Sequence, residues 1–160
     1  MSTLLRAIEF LGLSLWLGSD VFLSFVVAPR AFRILASRDQ AGAIVGYSLT
    51  VIHVGGIVCG LVLLLARLAR TKTFASLATP AALCVVLMIA LMAISQFTVS
   101  ARMATLRVQM GSIQATAPDS PLLAEFTRLH AISVSLESGV LLAGIAAIYL
   151  MVRELALRPS

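Results

Sequence analysis

Charge is what this chain has least of. Only 12% of its 160 residues are Asp, Glu, Lys or Arg, and no polar stretch is long enough to build an aqueous domain. That excludes a water-soluble globular protein. Cysteine is limited to Cys59 and Cys84, both inside apolar runs, which excludes a disulfide framework and predicts two thiols. There is no Gly-rich phosphate loop, no long repeat and no low-complexity tract. No nucleophile stands beside a candidate base; Ser14, Ser24, Ser95 and Ser133 are expected to bond carbonyls of their own helices, which argues against hydrolase chemistry. The net charge of +5 would suggest nucleic acid in a soluble protein. Here Arg and Lys gather at the ends of apolar runs, where they meet lipid headgroups, so the expected partner is the lipid bilayer and no nucleic acid.

Apolar residues make up 60% of the chain and are concentrated in four runs, Thr3–Val27, Ala43–Leu68, Leu77–Val99 and Ala131–Val152. Each is long enough to cross a bilayer, which takes about 20 apolar residues in a helix. The first run is about twice the apolar length of a signal peptide and is followed by Pro29, so it reads as helix one and not a cleaved leader. The expected fold class is all-α integral membrane, one domain over residues 1–160: an antiparallel four-helix transmembrane bundle with helices about 3–27, 43–68, 77–116 and 121–153. The expected location is a bacterial inner membrane. Six basic residues (Arg6, Arg67, Arg70, Lys72, Arg153, Arg158) fall on the terminal side and six (Arg30, Arg33, Arg38, Arg102, Arg107, Arg128) on the other. Asp39, Asp119 and Glu125 dilute the second group, which leans toward termini in the cytoplasm.

The connections are unequal. A short polar break, Arg67 to Ser76, makes helices two and three a hairpin on the terminal side. On the other side Met103, Leu106, Met110 and Ile113 recur at helical steps opposite Arg102, Arg107, Gln109 and Gln114, so helix three is expected to continue as an amphipathic arm until Pro118. Ser120 and Pro121 read as an N-cap and first-turn proline that start helix four well before its apolar run. Leu122, Phe126 and Leu129 would then pack on the arm, and the projecting hairpin is a possible contact for a partner protein. Small residues at four-residue steps (Gly42 and Gly46, Gly56 and Gly60, and Ser135, Gly139, Ala143, Ala147) predict close helix contacts, including those of a homo-oligomer.

Asp20, His53 and Glu137 lie within the apolar runs, where a charge costs at least ~2.5 kcal/mol, so each needs a bundle interior, a partner or a function. Counting ~1.5 Å per residue from the run ends puts all three roughly 9–15 Å below the non-terminal surface, in one layer. His130 is two turns before Glu137 and nearer that surface, while Gln96 and Trp16 border the same space. Imidazole and carboxylate suit haem iron or a divalent transition metal, and bundle cores are where such sites are built. The function expected on this ground is binding of haem b or a transition metal, for metal homeostasis or membrane redox chemistry. His53 and His130 would be ligands, Asp20 and Glu137 ligands or partners that fix the imidazole tautomers, and Arg102 would pair with a propionate, a phosphate headgroup or Glu125. Other readings stand beside it: proton relay by a histidine between two acids, a small exporter or channel subunit for a metal ion or cationic drug, an assembly subunit, or polar groups that merely hold helices together. A softer path of Cys84, Met88, Met92 and Gln96, with Cys59 nearby, would suit Cu(I). The terminal half, with Leu4, Leu5, Leu61–Leu65, Leu141–Leu142 and Ile145, reads as free of polar residues, which favours a pocket closed on that side.

In Trp16-Leu-Gly18, Phe25-Val-Val-Ala-Pro29, His53, Ser100-Ala-Arg102 and Phe126-Thr-Arg-Leu-His130-Ala-Ile-Ser133 the chain resembles the transmembrane protein 205 family and its bacterial relatives, four-helix membrane proteins of unknown function. The resemblance spans almost the whole chain and implies functional positions at His53, His130 and Arg102. Ser100 and Glu137 stand where that family usually has asparagine, which makes this interior more anionic. The association of the eukaryotic relative with resistance to platinum drugs implies a soft-metal or export theme. In helix number and intramembrane histidines alone, the chain is also similar to the copper-resistance D-like and HemJ-like haem membrane proteins.

Overall fold

The computed structural model describes residues 2–157, so Arg158, counted above among the terminal-side cations, lies outside them. Six α-helices fall into four rods: α1 (Ser2–Phe22) and α2 (Ala28–Ile34) form the first, α3 (Arg38–Thr71) the second, α4 (Pro80–Ile94) and α5 (Ala101–Met110) the third, and α6 (Pro121–Ala156) the fourth. A π-helical segment joins the halves of the first rod (Leu23–Val27) and of the third (Ser95–Ser100). All four rods are long and apolar enough to cross a membrane. The protein is an integral membrane protein of the all-α class, and its surroundings are lipid.

The rods pack in a ring: α1 lies along α3, α3 along α4, α4 along α6, and α6 closes on α1. Each turns one stripe inward. On α1 the buried line is Glu9, Leu13, Trp16, Leu17, Asp20, at the three- and four-residue steps of a helix face. Leu4, Leu11, Leu15 and Phe22 on the opposite side are exposed, as lipid-facing residues should be. Close approach is made possible by missing side chains. A Cβ on Gly56 would come within 2.4 Å of the Trp16 indole, and one on Gly144 within 2.3 Å of Leu17. The indole lies over Gly56 and Gly60, and its N–H donates to Met92 Sδ at 3.2 Å.

The boundaries differ from the sequence expectation where local chemistry outvotes hydropathy. Helix one does not stop before Pro29 but runs on to Ile34. In an unbroken α-helix the Pro29 ring would collide with the Phe25 carbonyl, and the π segment just before it widens that turn; the Ala28 N–H reaches back to the Leu23 carbonyl. Helix two begins at Arg38, capped by Ser37, whose Oγ accepts from the Gln40 N–H, and ends at Thr71 with Lys72 in the left-handed region. The arm of helix three stops at Met110, short of the expected 116. Gly111 takes a φ of 70° there, and the chain folds back onto the start of α3. Asp39 accepts from Ser112 Oγ at 2.5 Å and from the Ile113 N–H at 2.8 Å, and the Arg38 N–H donates to Gln114 Oε1. Ser120 is the N-cap of α6 with Pro121 following, as expected, although its hydroxyl makes no capping bond. Half-buried Leu122 and Phe126 lie on the first turns of α6, which packs on α5 beside the fully buried Leu106.

Candidate functional site

Every rod sends a polar side chain to the bundle axis at one level. Asp20 comes from α1, His53 from α3, Ser95 and Gln96 from the π segment after α4, and Glu137 from α6. Asp20 and His53 are fully buried and Glu137 nearly so. His53 Nε2 lies 2.6 Å from Glu137 Oε1, and Nδ1 lies 3.0 Å from Gln96 Oε1. Ser95 Oγ donates to the same Glu137 oxygen at 3.2 Å. The His53–Glu137 contact joins α3 and α6, which face each other across the ring, so it crosses the centre of the bundle.

The π segment makes this set possible. Consecutive residues on an α-helix point about 100° apart, and a π turn, with more residues per turn, narrows that angle. The wider π turn brings both in: Ser95 meets Glu137 and Gln96 meets His53. No proline forces that turn, and π segments of this kind are frequent at functional sites.

At 2.6 Å a hydrogen lies between His53 Nε2 and the Glu137 carboxylate, while the role of Nδ1 toward Gln96 depends on the ring's tautomer. Asp20 is different. Neither of its carboxyl oxygens has a hydrogen-bond partner among the described residues, and Glu137 Oε2 has none either. Asp20 is on α1, which packs along α3, the helix that carries His53. A buried, unpaired carboxylate in a low-dielectric interior is strongly disfavoured, so Asp20 either keeps a proton or takes a cation.

His130 does not join this layer. On α6 Ser133, Glu137 and Val140 are buried, whereas His130, one heptad before Glu137, is exposed. With a single imidazole at the axis, the residues do not fit a bis-histidine haem. Among the described residues no group of three or more His, Cys, Asp and Glu is arranged to hold a metal ion. Arg102 is half-exposed and forms a two-pronged pair with Glu125 at 2.8 and 3.1 Å, the last of its three anticipated partners. Trp16 borders the layer one turn from Asp20 as packing, held by the two glycines and Met92. Met88 and Met92 are fully buried core, and Met92 spends its sulfur on the Trp16 N–H. Cys59 and Cys84 are free thiols.

A second polar layer, missed in the sequence, closes the terminal half. Glu9 and Arg67 are almost fully buried there. Arg70 Nε donates to Glu9 at 2.6 Å, and Arg67 donates to Glu154 at 2.6 and 2.7 Å, to the Ser76 carbonyl and to Thr79 Oγ1. Arg67 and Arg70 are therefore interior ion pairs and not headgroup anchors, and the terminal half is not free of polar residues. The signal was present: Glu9 is on the Leu13, Trp16, Asp20 stripe, and Arg67 is two heptads from His53.

Fold and site together define a four-helix integral membrane protein with a buried acid–histidine–acid layer on its axis. Residues 11–112 match the family described as a domain of unknown function (DUF4149), and the chain belongs to that family. The match takes in Trp16, Asp20, His53, Gln96 and Arg102, while Glu137 and His130 lie beyond it. No curated protein and no solved structure matches the chain.

Proposed function

We propose that this is a proton-handling membrane protein, in which Asp20 takes up and releases a proton, or accepts a small cation in its place, next to the His53–Glu137 pair. The observation that carries the reading is the fully buried Asp20 carboxyl without a partner, one helix away from a histidine that shares a proton with a second acid. His53 shares its Nε2 contact with Glu137, and Gln96 and Ser95 hold the ring and the acid in place. The reading parts from a bis-histidine haem, because His130 is exposed and only His53 is buried at the axis.

Coupling of the proton to export of a cationic solute is a finer version of the same idea. A lone four-helix bundle is small for a transporter, so that version requires a homo-oligomer through the Gly and Ala faces. The resemblance to the transmembrane protein 205 family, the bacterial inner membrane, the cytoplasmic termini and a partner at the projecting hairpin belong to this reading too. The test is proton flux into liposomes that enclose a pH-sensitive dye, under an imposed membrane potential. The parent should carry protons and Asp20→Asn should not. Parent liposomes that behave like empty ones, with no protonated-carboxyl infrared band assignable to Asp20, would sink the proposal.

A further inference from the structure

We infer that the non-terminal end of the bundle holds a second site, built around Arg107, that binds a phosphate group. The sequence pattern put Arg107 on the polar outer face of an arm; instead its side chain turns inward onto α3. It rests on the shelf left by Gly42 and Gly46, where an added Cβ would come to 3.2 and 3.1 Å from the guanidinium nitrogens. One nitrogen donates to the Gly42 carbonyl at 2.9 Å, and the guanidinium lies over the Phe126 ring, 5.5 Å from its centre. These contacts position the group without neutralising it. Among the described residues Arg107 has no ion pair, and its Nε is buried with no acceptor.

A cavity of about 160 Å³ adjoins it, lined by Asp39, Ala43, Arg107, Gly111 and Ile113. A cavity of ~150 Å³ is enough for a benzene-sized guest, so a phosphate fits. The nearest acid, Asp39, shares the cavity wall and the field of the guanidinium but forms no ion pair with it; its carboxylate oxygens accept from Ser112 Oγ and the Ile113 N–H. A planar guanidinium with free donors on a cavity wall is the group best suited to phosphate oxygens. Ala43 and Arg107 are followed by the exposed apolar residues Ile44 and Val108, so acyl chains attached to that phosphate would find a lipid-facing surface beside it. The site is independent of the Asp20 layer and stands or falls separately from it.

The experiment is native mass spectrometry and thermal shift on the whole protein in detergent, with phosphatidylglycerol and, in a separate arm, inorganic phosphate. Phosphatidylglycerol should bind the parent about tenfold more tightly than it binds Arg107→Gln, given the usual worth of a charge-assisted hydrogen bond. Ala43→Leu, which fills the cavity mouth and leaves the arginine in place, should lose binding to the same extent and decides the matter if Arg107→Gln does not fold. Arg102→Gln, whose partner is Glu125, should bind as the parent does. Displacement of the lipid by inorganic phosphate would identify a free phosphate as the ligand, and its failure to displace would identify the headgroup. A parent that binds neither, or cavity variants that bind as the parent does, would overturn the inference.

Discussion

Replacing Gly56 with alanine is the sharpest test of the packing that frames the site. The new methyl carbon would sit 2.4, 2.7 and 2.8 Å from three atoms of the Trp16 indole. That indole cannot retreat: it is 1% exposed, its N–H is held by Met92, and its far edge lies on Gly60, where Ile89 also packs. Overpacking of this kind costs about 1–3 kcal/mol, and a methyl with three contacts under 3 Å belongs near the top of that range. Alanine also improves helix propensity by ~1 kcal/mol, leaving a net loss of about 2 kcal/mol. Gly55 supplies the internal control, because a Cβ there meets nothing within 4 Å and only the propensity gain applies. The assay is thermal unfolding in detergent, followed by fluorescence of Trp16, the only tryptophan in the chain. Gly56→Ala should melt several degrees below the parent with a shifted emission maximum in the folded state, whereas Gly55→Ala should match or exceed the parent with an unchanged spectrum. If the two variants were equally stable and their emission identical, the indole would not lie on Gly56 and the stacking of α1 on α3 described here would be wrong.

Other substitutions separate function from stability. Asp20→Leu should abolish proton flux while leaving the melting temperature equal or higher, because removing an unpartnered buried polar group relieves ~1 kcal/mol or more; a strongly destabilised variant would mean that Asp20 has a partner. Arg67→Met should cost about 3 kcal/mol by stranding Glu154, while Arg70 keeps Glu9 paired, and Arg67→Met with Glu154→Gln should recover part of it; additivity in this double-mutant cycle would refute the interior ion pair. Arg102→Gln should leave thermal stability unchanged, since its pair with Glu125 is solvent-exposed, and a large loss would place that pair in a drier setting than its exposure indicates.

Much of the architecture was readable because hydropathy reports the solvent directly. Four apolar runs long enough to span a bilayer must become helices, since a continuous apolar run satisfies its own backbone inside lipid only as a helix. The common depth of Asp20, His53 and Glu137 was readable for the same reason, because the rise per residue converts sequence offset into height. Burial near the rod ends was harder to read: His130 is one heptad before Glu137 and close to the same face, yet it is exposed where Glu137 is buried. Hydropathy also hid the second polar layer, because Arg67, Arg70 and Glu154 lie at the ends of apolar runs, where headgroup contact is expected, and Glu9 stands alone within one.

Sequence alone was enough for the class of protein, the number of spans and the common height of Asp20, His53 and Glu137, since these follow from the energy of moving residues between water and lipid and need only one helix at a time. Tertiary structure alone decided the partners. Whether Arg67 anchors a headgroup or pairs with Glu154, whether Arg107 points outward or lies on the Gly42 shelf, and whether Asp20 has a counter-ion all depend on which face of a second helix arrives opposite. That is fixed by the shapes of neighbouring side chains and by the two π turns, interactions between distant parts of the chain that no single segment encodes.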